Sequence, residues 1–177
     1  TRNTLLDAGA AAVFERHGLM GLQGIWLERN GNFGAEPFRE AMLELIQREA
    51  ARAKEHHNVL AVLVGNELPP ETVFQAGPDQ INALLTSAAQ TVKAADATRL
   101  ASYANWPALS FLDASMWDLV CFNVYPYEPP SVAHAFGFRS YVEHLKRSNS
   151  RGKPLSVSEV GLSVSPQGGN ASGYGGL

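Results

Sequence analysis

The stretch that most restricts the fold of this chain is Val59 to Glu67, V-L-A-V-L-V-G-N-E: an unbroken apolar run, a glycine, then an amide and a carboxylate. A strand apolar on both faces belongs in a parallel sheet covered by helices, because a sheet with one wet face would alternate polar and apolar residues. Such a strand delivers Asn66 and Glu67 at its C-terminal end, where parallel sheets bind their ligands. Pro154 to Gly161, P-L-S-V-S-E-V-G, repeats the pattern with Glu159 in the corresponding place. Two glutamates at strand ends suggest an acid and a nucleophile.

The rest of the chain alternates between helical and extended patterns. Thr4 to His17 carries Leu6, Ala10, Val13 and Phe14 at helical spacing, with Gly18 as its stop. His17 in the last turn is explained by the helix dipole, which favours a positive group there. Leu19 to Leu27 reads as a strand that runs to Trp26 and Glu28 before an Asn30-Gly31 turn. Glu36 to His57 forms the longest helix, with Phe38, Ala41, Met42, Leu45 and Ile46 on one face and Glu44 one turn before Arg48. After the central strand come a loop from Leu68 to Gly77, stiffened by Pro69-Pro70, and a helix from Pro78 to Ala95. Arg99 to Ala104 is a strand ending at Asn105 and Trp106, Pro107 opens a short helix reaching Leu112, and Trp117 to Tyr125 is a further strand. A Pro- and aromatic-rich loop, Pro126 to Pro130, precedes a helix around Phe138 to Leu145 and the strand ending at Glu159. Beyond Pro166 the residues are Gly, Ser and Asn, a loop or frayed end.

Five strands alternating with helices predict an α/β fold with a parallel sheet, either an eight-stranded barrel or an open doubly wound sheet. No strand is followed by G-x-G-x-x-G or a P-loop pattern, and Gly168-Gly169 has no helix after it, which counts against the nucleotide-binding folds. At 177 residues, 45% hydrophobic and 18% charged, the chain has the composition of one globular domain. A net charge of -3 with scattered Lys and Arg builds no basic face for nucleic acid or an anionic membrane. No apolar run approaches the ~20 residues of a membrane span, and the first residues lack a signal pattern. His56 and His57 are adjacent and point apart, so they do not form a metal-binding pair; they read as a solvated helix end. Cys121 has no cysteine to pair with and sits in an apolar run as a small buried hydrophobe. The compartment stays open, extracellular and periplasmic locations included.

The G-N-E at Gly65 to Glu67, the N-V-Y at Asn123 to Tyr125 and the S-E-V-G at Ser158 to Gly161 resemble the signature of clan A retaining glycoside hydrolases, which are (β/α)8 barrels. With D-A-T-R at Asp96 to Arg99, D-L-V-C-F-N-V-Y and K-P-L-S-V-S-E, the chain is most similar to the catalytic barrel of the family 2 β-glycosidases. N-V-Y-P-Y is also similar to the family 17 β-1,3-glucanases. The resemblance implies that Glu67, ending the fourth barrel strand, is the acid/base and that Glu159, ending the seventh, is the nucleophile. It also implies that Asn66 bonds the sugar 2-hydroxyl and that Tyr125 donates to Glu159, with no cofactor and no metal. The interval between the glutamates holds three strand-helix steps of about thirty residues each, which agrees with that count. Burial and neighbouring negative charge are expected to raise the pKa of Glu67, and hydrogen bonds to keep Glu159 ionised. Trp26 and Trp106 are either sugar platforms or core residues, Glu28 is a weaker substrate-binding candidate, and Glu71, after two prolines, reads as a surface residue.

A complete barrel has about 250 residues, so the chain is expected to cover only the third to seventh strands, as a single partial domain with a Gly-rich segment at 166–177. Its unpaired edges predict a contiguous piece of a longer enzyme, or a sheet completed by other segments or copies. Three functions fit: a retaining hydrolase of β-linked saccharide, with β-glucan the expected substrate; a β-glucan transglycosylase using the same glutamates; or an inactive carbohydrate-binding or scaffold domain.

Overall fold

The computed structural model describes residues 8–125 and 137–161. Helix α1 (Ala8–Arg16) stops at Gly18, whose φ of +62° suits glycine. There the Leu19 N–H reaches the Phe14 carbonyl (2.8 Å) and the Gly18 N–H that of Glu15 (3.1 Å), a double bond that satisfies carbonyls the ended helix would leave free. The strands are β1 (Gly21–Gly24), β2 (Val59–Asn66), β3 (Leu100–Asn105), β4 (Val120–Asn123) and β5 (Leu155–Glu159). They lie in the order β1-β2-β3-β4-β5, every neighbouring pair parallel.

Sequence order preserved across a parallel sheet is what a barrel requires; a doubly wound sheet would reverse direction at a switch point. The connections are α2 (Glu36–Lys54), then α3 (Pro70–Ala76) with α4 (Pro78–Ala95), then a 3-10 turn (Pro107–Leu109), then α5 (Phe138–Asn149). The described residues therefore form five successive strands of a (β/α)8 barrel.

Side-chain alternation separates the two faces of the sheet. Val62, Val64, Ala101 and Tyr103 share a core with Ile46 of α2 and Ile81 and Val92 of α4. Val120, Phe122 and Val124 pack with Leu145 of α5. Residues of the opposite parity, Leu63, Ala104 and Cys121, form a third, small cluster. Cys121 is buried, as expected. Each fully buried Val or Phe of the helix-facing layer contributes about 1.5–3 kcal/mol relative to exposure, so the sheet is fixed from its outer side.

Several expectations are revised. Residues 70–76, expected as loop, form α3: Pro70 fits the first helical position, where an N–H has no partner anyway, and Thr72 and Val73 are buried. Glu71 is exposed. Helix α2 ends at Lys54 rather than His57, and His57 lies 4.0 Å from Glu15. Arg48 sits 3.6 Å from Glu49, itself 3.3 Å from Arg52, in place of the expected pairing with Glu44. Strands β1 and β4, four residues each, are shorter than the expected Leu19 to Leu27 and Trp117 to Tyr125, although the Ile25 N–H still donates to the Leu63 carbonyl and the Val124 N–H to that of Glu159, both at 2.8 Å. The loop Pro126 to Pro130 and the segment from Pro166 lie outside the described residues.

Polar residues just before the strands lock the N-terminal end of the sheet. The Asp96 carboxylate accepts from the Thr98 N–H (3.0 Å) and lies 3.3 Å from Arg99, which donates to the Ala53 carbonyl of α2 (3.3 Å). Asp118 accepts from the Ala101 N–H (2.9 Å) and Lys93 (3.1 Å). Lys153 donates to the Ser115 and Trp117 carbonyls.

Candidate active site

The opposite end of the sheet gathers the strand-end residues. Glu67 follows β2 directly, and its backbone has a φ of +36°, a left-handed value in a residue that has a side chain. Such conformations cost roughly 1–3 kcal/mol and persist only where the surroundings enforce them. Two surrounding bonds do so: the Glu67 N–H donates to the Ala104 carbonyl (3.0 Å), and the Leu68 N–H to the Tyr103 hydroxyl oxygen (2.8 Å).

From there Glu67 reaches past β3 to β4. The fully buried Asn123 donates through Nδ2 to Glu67 Oε1 (2.9 Å) and to Asn66 Oδ1 (3.0 Å), while its Oδ1 accepts from the Ser158 hydroxyl (2.7 Å). That amide is held in one orientation, since its oxygen faces a donor and its nitrogen faces two acceptors. Asn66, with its oxygen engaged, keeps its NH2 as a donor toward a ligand. Glu159, at the end of β5, accepts from the Tyr125 hydroxyl at 2.6 Å. Asn123 and Tyr125 are two residues apart on one extended segment, hence about 7 Å apart and on the same side. Both carboxylates are therefore held from β4 over one face of the sheet.

Partial burial pushes the Glu159 carboxyl up, and the Tyr125 hydrogen bond and the Arg29 charge pull it down. The geometry is that of an ionised carboxylate presented by a donor. Arg29 follows β1, its guanidinium 5.8 Å from the ring centre of Trp26, so one face of that indole is covered by a cation. Glu28 accepts the Asn30 N–H (3.0 Å) and caps its own turn. Trp106, half-buried, begins the loop after β3, which Asn105 ties down by donating to the Leu109 carbonyl (3.1 Å).

Of the residues singled out in the sequence, Asn66 and Glu67 share Asn123 as their donor, Tyr125 and Glu159 form a second pair, and Trp26, Glu28 and Trp106 lie on the loops at the same end. Asn123, Ser158, Tyr103 and Arg29 join them, though the sequence did not single them out as site residues. Alternation could have found Asn123, which stands two before Tyr125; Ser158, next to Glu159, would be placed by alternation on the other face and joins through the register shift between β4 and β5. Arg29 and Tyr103 carried no such signal, because their reach depends on loop geometry and on a bulge. Among the described residues no group of three His, Cys, Asp or Glu side chains is arranged to hold a metal ion, and no helix is long and apolar enough to cross a membrane.

No protein-family model matches the chain, and no curated protein matches it in sequence. Solved structures do match in fold. The β-glucuronidase from Ruminococcus gnavus in complex with uronic deoxynojirimycin superposes with a TM-score of 0.69 at 16% identity, over 88% of this chain and 28% of that one. Bacteroides uniformis β-glucuronidase 2, covalently bound to cyclophellitol-6-carboxylate aziridine, gives 0.70 at 15% identity over 89% and 20%. The GH2 β-galacturonidase from Eisenbergiella tayi bound to galacturonate gives 0.65 at 18% identity over 87% and 27%. The chain thus spans between a fifth and about three tenths of the length of these structures. Its five strands have the fold of the corresponding part of a family 2 glycoside hydrolase.

Proposed function

We propose that this chain carries the two catalytic carboxylates of a retaining β-glycoside hydrolase. The observation behind this reading is that Asn123 and Tyr125, two residues apart, each hold one glutamate at the C-terminal end of a parallel sheet. A retaining site needs two carboxyl groups about 5 Å apart, one giving a proton and one attacking carbon. In the first step a Glu159 oxygen attacks the anomeric carbon and the bond to the glycosidic oxygen breaks as Glu67 protonates that oxygen. In the second, water attacks the same carbon, Glu67 takes its proton, and Glu159 leaves as a carboxylate. The Tyr125 hydroxyl, which favours the ionised form of Glu159, suits the attacking role. Asn66 would donate to the sugar 2-hydroxyl, and Trp26, Trp106 and Glu28 would line the approach. The covalent adduct named for the Bacteroides structure is in keeping with a carboxylate nucleophile.

The substrate is a β-linked saccharide, with β-glucan the reading from the N-V-Y-P-Y similarity. A second reading, a β-linked uronide, is favoured by the uronate ligands of the structural neighbours and by Arg29, a cation within electrostatic reach of Glu159. Turnover of aryl β-glucoside against aryl β-glucuronide by the full-length protein separates the two. A 2-deoxy-2-fluoro glycoside of the preferred sugar should trap the enzyme, with the label on the Glu159 peptide. No turnover, or a label elsewhere, would refute the assignment. Chain-lengthened products from one oligosaccharide would identify a transglycosylase. Sugar binding that survives loss of both glutamates, without turnover, would identify a non-catalytic domain.

A further inference from the structure

The pairing of β2 with β3 is regular from Ala61↔Leu100 to Leu63↔Ser102 and then slips, resuming at Asn66↔Ala104. Three steps along β2 are matched to two along β3, so β2 bulges at Val64-Gly65. Bulges turn a strand and re-aim the side chains that follow, and here the next residues are Asn66 and Glu67. Gly65 lies under the Tyr103 ring: a Cβ there would meet Tyr103 Cε2 at 3.3 Å and Leu27 Cδ1 at 3.4 Å. With no side chain at Gly65 the ring lies flat on the bulge, and its hydroxyl passes beyond Glu67 to accept the Leu68 N–H at 2.8 Å. The ring is fixed from behind by Trp117, stacked with centroids 6.3 Å apart, and only 3% of Tyr103 is exposed.

We infer that Tyr103 is a positioning residue for the acid/base. It clamps the peptide after Glu67 and so maintains the left-handed backbone that directs the carboxyl across β3 to Asn123. Without that acceptor the Leu68 N–H is buried unpaired, and the simplest relief is rotation of the 67–68 peptide out of its strained conformation. Tyr103 need touch no substrate; it acts through Glu67. The inference rests on the proposed glycosidase reading, and its test separates failure of the two.

Tyr103→Phe keeps the ring, the Trp117 stack and the contact with Gly65, and removes only the hydroxyl. Aryl glycosides with poor leaving groups need protonation by Glu67, whereas those with very good ones do not. In the full-length protein Tyr103→Phe should therefore lower kcat/KM, which reports the first step, about 10- to 100-fold on poor leaving groups, part of the 10²–10⁴ that a positioned acid/base contributes. On a dinitrophenyl glycoside the loss in kcat/KM should be less than about threefold, because its first step needs no proton from Glu67. Gly65→Ala, which displaces the ring by crowding it, should show the same split. Equal losses on both classes of leaving group, or none on either, would overturn the positioning role. If the wild-type protein turns over no glycoside, the functional reading has failed, and the clamp is judged by hydrogen exchange. The Leu68 amide should exchange at least tenfold faster in Tyr103→Phe than in wild type, and unchanged protection would sink it.

Discussion

The two ends of the sheet use polar residues in opposite ways. At the N-terminal end, Asp96, Arg99, Asp118 and Lys153 direct their charges at backbone groups: the Thr98 and Ala101 N–H groups and the Ala53, Ser115 and Trp117 carbonyls. Their bonding capacity is directed at holding the chain. At the C-terminal end, side chain is tied to side chain through Asn123 and Tyr125. One end closes the fold and the other presents chemistry, which is the usual division of labour in parallel barrels.

The comparison breaks first at the carboxylates. Glu159→Gln should lower kcat by about 10⁴-fold or more, because the covalent route disappears. Glu67→Gln should cost about 10²–10⁴-fold on substrates with poor leaving groups. Neither should change the cooperativity of unfolding, and a steady-state rate within tenfold of wild type for either would remove that residue from the mechanism. Asn123→Ala comes next. It deletes donors to Glu67 and Asn66 and the acceptor for Ser158, and a hydrogen bond to a charged group is worth about 1.5–3 kcal/mol. A loss of roughly 10- to 100-fold in kcat/KM is expected, together with about 1–3 kcal/mol of stability read from denaturant unfolding. Retained activity would mean that the two glutamates are not organised through β4.

Much of this arrangement was legible in the sequence. The apolar runs ending in Asn66-Glu67 and Glu159 placed the carboxylates, and the helix-strand alternation placed them on a parallel sheet, because burial on both faces leaves no other arrangement. What escaped were features set by geometry beyond one element. Pro69-Pro70 reads as a loop, yet the missing N–H groups cost nothing at the first turn of α3. The bulge at Gly65 leaves no compositional trace beyond a glycine, so neither the strained Glu67 nor the reach of Tyr103 could be foreseen. Arg29 looked like one more surface cation because the fold of the loop after β1 decides where its charge lies.

Tyr125→Phe is a gentler probe of the C-terminal end. In the proposed mechanism Glu159 must be ionised to attack, and the Tyr125 hydroxyl at 2.6 Å pulls its pKa down against partial burial. Removing that donor raises the pKa, so activity should be lost at a higher pH on the acid side. The acid limb of the kcat/KM profile should move upward, with about a tenfold loss on the plateau. An unmoved limb would mean that the bond does not set the state of Glu159.

The smallest effect belongs to the N-terminal end, where the comparison demands a change in stability without a change in chemistry. Burial raises the Asp118 carboxyl, but the Ala101 N–H and Lys93 outweigh it and hold the group below its ordinary value of 3.8. A carboxylate depressed in the folded state contributes stability that is present above its unfolded pKa and lost as pH falls through the lowered folded value. The side chain is 36% exposed, so screening limits the contribution to about 1 kcal/mol. Asp118→Asn should therefore unfold at lower denaturant at pH 7, and the two proteins should converge as pH falls through the lowered folded value. The rate per folded molecule should stay unchanged, since Asp118 precedes β4 at the end remote from Glu67 and Glu159. A drop in kcat with unaltered stability would mean that the two ends are coupled through β4, and the separation of a locking end from a chemical end would fail.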